Sequence, residues 1–269
     1  MKKATVGIIG GTGGMGRWFA SLLSKEGCTV YVTGRKTSLT AVQAAATCNV
    51  IIVAVPIVNT AEVIQQIGPL LTEEKLLMDL TSLKKEPVEL MLASTRAEVI
   101  GCHPLFGPAL DTAAGQNIVL CPARGVRWLA WLKKTLKKNG LTVLERTPEE
   151  HDKTMAVIQV LNHLNTISLG MMLGAADVEL AEVDKLSTPI FRTKMEIVKK
   201  IFTENPGLYA DIIAGNPDVL QILDVYEKTI SGIRASLEAN NGAKLKETME
   251  KTAEKLFREK TALDKTNYY

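Results

Sequence analysis

A chain of 269 residues with 46% hydrophobic content is too apolar for a disordered segment, and its length suits one large domain or two smaller ones. Its 32 basic and 29 acidic residues leave a formal charge of +3, with no basic block long enough to form a nucleic-acid groove. The four cysteines, Cys28, Cys48, Cys102 and Cys121, form no C-x-x-C pair and no zinc spacing, so reduced, buried thiols in a cytoplasmic protein without a metal site are expected.

The N-terminal apolar run breaks at glycines after a few residues, and no later stretch is expected to be long enough to span a bilayer. Residues 6–9 form a short apolar run ending in Gly10-Gly11-Thr12-Gly13-Gly14-Met15-Gly16, and a helical pattern follows through Trp18, Phe19, Leu22 and Leu23. That order is strand, glycine turn, helix. Further strands are predicted at 29–33, 49–56, 75–80 and 97–102, with two more in NIVLCP and LTVLER, and helical segments between the earlier ones. The alternation predicts an α/β fold with a Rossmann-type, doubly wound, mostly parallel sheet. From about Glu149 strands disappear and helical periods run to KLKETMEKTAEKLF, punctuated by Pro148, Pro189, Pro206 and Pro217. The predicted domains are therefore 1–148, dinucleotide-binding, and 149–269, all-helical.

Gly11-x-Gly13-x-x-Gly16 fits the dinucleotide fingerprint. One glycine permits the tight turn, one lets backbone approach a pyrophosphate and one allows close helix–strand packing, while the helix N-terminus offers free N–H groups to the anion. Gly11, Thr12, Gly13, Gly14, Met15 and Gly16 are the predicted phosphate loop, and Val55 and Pro56, after the third strand, are placed with them at the cofactor site. The second strand ends in Thr33-Gly34-Arg35-Lys36 and offers no carboxylate to a free adenosine ribose. Arg35 and Lys36 can face a 2′-phosphate, so NADP is favoured over NAD; the alternative is a pair of ordinary solvated loop cations.

His103, in GCHPLFGP, follows the fifth strand at the carboxyl edge of the sheet, where such folds bind ligands. Its imidazole, with an ordinary pKa of about 6.5, is the candidate acceptor of a substrate hydroxyl proton. Ser82, in DLTSLK, lies at the same edge and either orients His103, shares the substrate hydroxyl or caps the next helix. Arg192 sits in the first turn of a helix begun by LSTPIFR, where a cation is not favoured by the helix dipole, so a bound carboxylate is a natural reason for it.

The segments GGTGGMGRWFA, VIIVAVPI, DLTSLK, GCHPLFGP, EHDKTMAVIQVLNH and LSTPIFR, in this order and spacing, resemble the prephenate/arogenate dehydrogenase family, particularly its prephenate dehydrogenase branch. The resemblance implies oxidative decarboxylation of prephenate to 4-hydroxyphenylpyruvate in tyrosine biosynthesis, with hydride passing to NAD(P) and a helical domain that forms a homodimer. It implies that His103 accepts the 4-hydroxyl proton, that Ser82 supports it and that Arg192 binds a substrate carboxylate. His151, His163 and Lys84 also fall on positions of the family's segments. His163, with Gln159 one turn before it, is taken as a substrate contact; His151 is read as equally a solvated helix end, and Lys84 as a solvated loop lysine. The alternatives are an arogenate dehydrogenase, a β-hydroxyacid dehydrogenase and a non-catalytic NADP-binding sensor.

Overall fold

A computed structural model describes residues 4–110, 112–176, 178–239 and 242–257. Seven strands form one sheet: β1 (Thr5–Ile9), β2 (Thr29–Thr33), β3 (Val50–Val53), β4 (Leu76–Asp79), β5 (Glu98–Pro104), β6 (Asn117–Arg124) and β7 (Thr142–Glu145). Their spatial order is β2-β1-β3-β4-β5-β6-β7, and every neighbouring pair is parallel except β5 and β6. The switch at β6 follows from the connection: β5 and β6 are joined over residues 105–116, and the described residues there hold no crossover helix to reverse the chain.

The sheet is covered on both faces, which is why β3 (VIIV) and β4 (LLMD) are buried at every residue. On one face α1 (Gly14–Lys25) and α5 (Arg127–Lys138) bury Phe19, Leu22, Leu23, Leu132 and Leu136. On the other, α2 (Ala41–Thr47), α3 (Ile57–Ile67) and α4 (Lys85–Ser94) bury Ala45, Ile64, Ile67, Val88 and Met91. The predicted doubly wound sheet is the observed one.

The helical segment begins where sequence places a stop. Thr147 caps α6 (Pro148–Met155) through a capping box: its hydroxyl accepts from the Glu150 N–H, and the Glu150 carboxylate accepts from the Thr147 N–H. After α6 the helix widens to π geometry over Ala156–Leu161 and continues as α7 (Asn162–Ala175). Then come α8 (Leu180–Lys185), α9 (Pro189–Thr203), α10 (Pro206–Ala214), α11 (Val219–Glu238) and α12 (Gly242–Phe257). By compactness the chain divides into Met1–Val219, which holds the sheet and α6 to α10, and Leu220–Tyr269, which among the described residues is helical.

One expectation needs correction. Among the described residues the continuous helical run Pro148–Ala175 spans 28 residues and contains an 18-residue stretch with a mean hydropathy of 1.3, long and apolar enough by length and composition to cross a membrane. No unbroken apolar run signalled it, because His151, Asp152, Asn162, His163 and Asn165 interrupt the pattern. Its first turns instead bury an ionisable pair, His151 and Asp152, against the sheet.

Candidate active site

The glycine turn meets the geometric demand of a phosphate cradle. Gly10 has φ of +80°, and a Cβ there would stand 2.5 Å from the Ala54 carbonyl oxygen; one on Gly16 would stand 2.6 Å from the Gly11 Cα. Gly13 caps α1 with no side-chain cap, and no acidic residue occupies the first turn, so the helix end presents N–H groups and positive potential to an anion. Met15 packs into the hydrophobic core, so its backbone is what it offers the loop. The Val55 methyl lies against Gly10, and the exposed Pro56 caps α3. Arg35 and Lys36 are exposed in the turn after β2, which the Thr37 hydroxyl closes by accepting from the Gly34 N–H at 2.9 Å. Thr12 packs on Gly34, joining this turn to the glycine loop. These residues fit a dinucleotide.

The histidine loop lies on the same cradle. A Cβ on Gly14 would stand 2.7 Å from Pro108, and Phe106 packs edge-on against Trp18 of α1 with ring centroids 4.9 Å apart. The prolines and aromatic of GCHPLFGP thus dock the segment after His103 onto the start of α1.

His103 is the penultimate residue of β5, with only 4% of its surface exposed. Its Nδ1 lies 2.8 Å from Nε2 of His151, whose Nδ1 is 2.7 Å from Asp152 Oδ1. The Asp152 carboxylate also accepts the Lys84 N–H at 2.8 Å and the Lys85 N–H at 2.9 Å, and the Asn216 amide donates to the Asp152 carbonyl at 3.0 Å. Burial pushes the His103 imidazole well below its ordinary pKa, and His151 and the Lys84 ammonium push the same way. His103 is therefore neutral, as a proton acceptor must be.

The π segment sets the other side of His103. It places the Gln159 amide nitrogen 3.4 Å from His103 Nε2. One turn on, His163 meets Tyr209 of α10 edge-on at 4.9 Å, and burial lowers its pKa. Gln159 Oε1 and His163 Nδ1 are buried polar atoms without a protein partner. Both are available to a ligand.

Three sequence expectations change. His151 is 1% exposed and bonded to His103, not a solvated helix end, because α6 packs its first turns on α4 and β6. Lys84 is fully buried, not a solvated loop lysine: its ammonium pairs with Asp79 and donates to the Cys102 carbonyl at 3.1 Å. Gly101 makes room for it, since a Cβ there would stand 3.0 Å from the Lys84 chain. Ser82 is half-buried and, among the described residues, makes no hydrogen bond to His103 or to the α4 N-terminus; His151 occupies the orienting position instead.

Arg192 lies in the first turn of α9, exposed, donating to the Asp184 carbonyl at 3.4 Å. No hydrogen bond or ion pair among the described residues joins it to the His103 cluster. Asp152 was the member least visible in sequence. Its only signal is the Glu-His-Asp triplet directly after a capping Pro148.

A glycine-turn nucleotide cradle beside a buried, neutral histidine at the carboxyl edge of a doubly wound sheet defines the dinucleotide-binding class. Residues 21–145 match the family described as prephenate dehydrogenase, nucleotide-binding domain, and residues 147–251 match prephenate dehydrogenase, dimerization domain. The chain belongs to the prephenate dehydrogenase family. It is 36% identical over 241 residues to a probable arogenate/prephenate dehydrogenase of Methanocaldococcus jannaschii, covering 82% of this chain and 54% of that protein. It is 34% identical over 234 residues to the T-protein of Haemophilus influenzae, covering 87% of this chain and 62% of that protein. The chain thus spans between half and two thirds of these relatives. Among solved structures it is similar to prephenate dehydrogenase from Aquifex aeolicus in complex with hydroxyphenyl propionate and NAD+, with a TM-score of 0.76, 20% identity and coverage of 94% and 99%. Synechocystis arogenate dehydrogenase has a TM-score of 0.73 at 20% identity, with coverage of 92% and 97%.

Proposed function

We propose that this chain oxidises and decarboxylates prephenate to 4-hydroxyphenylpyruvate in tyrosine biosynthesis. The observation that carries this reading is the buried, neutral His103 near the end of β5, whose following loop packs on the nucleotide cradle. A nicotinamide cofactor, when bound, supplies the hydride acceptor. His103 takes the proton of the 4-hydroxyl at Nε2, and the Gln159 amide beside that atom holds the hydroxyl in line. His163 contacts the substrate from the next turn, Arg192 binds a carboxylate and Ser82 shares the substrate hydroxyl.

NADP is the proposed cofactor because Arg35 and Lys36 stand exposed after β2 with no carboxylate beside them. The functional boundary is placed at Pro148, with 1–148 binding the dinucleotide and 149–269 serving substrate and assembly. Four free thiols suit a cytoplasmic location.

The reading is tested by the absorbance of reduced cofactor with prephenate or arogenate, each with NAD and NADP. Prephenate with NADP is expected to give the highest kcat/KM; arogenate in its place identifies an arogenate dehydrogenase. No reduced cofactor under any condition contradicts both.

The helical segment is proposed to form a homodimer. Met171, Met172, Leu186 and Ile190 are large apolar side chains between 62% and 84% exposed. Sedimentation is expected to give a dimer's mass for the parent chain and a monomer's for the Met172→Glu, Ile190→Glu chain. A parent chain that sediments as a monomer contradicts the assembly.

A further inference from the structure

The chain His103–His151–Asp152 fixes where every hydrogen in it lies. The Asp152 carboxyl would be raised by burial alone, but hydrogen bonds from His151, Lys85 and Lys84 outweigh burial and hold it below the ordinary carboxylate range. An ionised carboxylate only accepts, so His151 Nδ1 carries a hydrogen. His151 Nε2 and His103 Nδ1, 2.8 Å apart, share one hydrogen, and because both rings are buried, where an uncharged imidazole is favoured, that hydrogen belongs to His103 Nδ1 and His151 Nε2 accepts it. His103 Nε2 is thereby left without hydrogen on the side where the Gln159 amide nitrogen stands at 3.4 Å. The Nδ1–H tautomer is the one a free histidine disfavours, and here Asp152 imposes it through His151.

We propose that His151 is a positioning residue that holds His103 in this tautomer and receives its Nδ1 proton when Nε2 accepts one from the substrate hydroxyl. The steps balance. The hydroxyl O–H bond breaks as an N–H bond forms at His103 Nε2, and the His103 Nδ1–H bond breaks as one forms at His151 Nε2. His103 ends neutral. The positive charge rests on His151, whose Nδ1–H still points at the Asp152 carboxylate, so the cation is matched by an anion at 2.7 Å. The titratable groups bonded to His151 are His103 from the sheet and Asp152 on its own helix; the Lys84–Asp79 pair stands at the α4 end, and Cys121 of β6 interacts with Asp152 and Glu149 of α6. Burial pushes the Cys121 thiol up to about 12, and that of Cys102 is raised as well, so neither competes for the proton.

The inference rests on the proposed dehydrogenase only for the identity of the hydroxyl; the tautomer is a property of the free protein. With three histidines in the chain, nitrogen-15 histidine NMR of the cofactor-free protein resolves each ring. Wild-type His103 is expected to carry hydrogen at Nδ1 and none at Nε2. His151→Phe is expected to return His103 to the Nε2–H form and to lower kcat by roughly 10²–10⁴-fold. Its cofactor KM is expected to stay unchanged. His151→Gln, whose carbonyl accepts from Nδ1–H but takes no proton, is expected to keep the tautomer and still lose about 10-fold in kcat. An Nε2–H tautomer in the wild type, a retained Nδ1–H in His151→Phe, or wild-type kcat in His151→Gln overturns the proposal. If no protein, wild type included, turns over prephenate or arogenate, the activity reading fails and the NMR result alone decides the positioning claim.

Discussion

Lys84→Met is expected to lower the unfolding free energy by roughly 3–5 kcal/mol, because it strands Asp79 as an uncompensated charge in the interior. For a compact unit of this size that is a fall in Tm of roughly 6–20 °C. Asp79 keeps two acceptor contacts, from the Thr81 N–H at 2.9 Å and its hydroxyl at 2.6 Å, but these do not neutralise it. Adding Asp79→Asn to Lys84→Met removes the stranded charge and is expected to recover most of the loss. An Lys84→Met protein that melts with the wild type contradicts the buried pair. The substitution also frees the Cys102 carbonyl next to His103 and removes a cation that depresses the His103 pKa, so the acid limb of activity is expected to move upward.

His103→Asn carries the second large effect. Turnover is expected to fall by roughly 10²–10⁴-fold, about 3–5 kcal/mol of barrier, with cofactor affinity held. In the wild type, His103 binds its proton only well below about 6.5, mainly because it is buried, so the acid limb of kcat/KM is expected below that value. Stability follows the same sign. Between the folded and unfolded pKa values the unfolded chain holds the extra proton, so stability is full above about 6.5 and is lost as the pH falls toward the folded value. His163, lowered by burial, adds to the slope in the same direction.

Much of this was legible in the chain. The β-branched runs, the glycine turn and Pro148 mark the strands, the cradle and the start of α6, because each reflects a local rule of backbone conformation. The place of His103 at the carboxyl edge of the sheet was legible from position alone. What sequence misread were residues whose partners are far along the chain. Lys84 looks like a loop cation until Gly101 and Cys102 of another strand are brought beneath it. His151 looks solvated because Glu150 and Asp152 flank it, yet Asp152 turns inward to the Lys84 and Lys85 N–H groups 68 and 67 residues away. Asp79 held a clue: a carboxylate closing the otherwise apolar strand LLMD needs a buried cation, and Lys84 is five residues on. The π segment that brings Gln159 to His103 has no local signature, since AVIQVL reads as ordinary apolar helix.

The most direct test of His103 as the base is the steady-state rate of cofactor reduction by prephenate in the wild type and in His103→Asn, with cofactor affinity measured on both. Turnover lower by at least about 100-fold, with the cofactor bound as tightly, is the expected result. Equal turnover in the two proteins contradicts it.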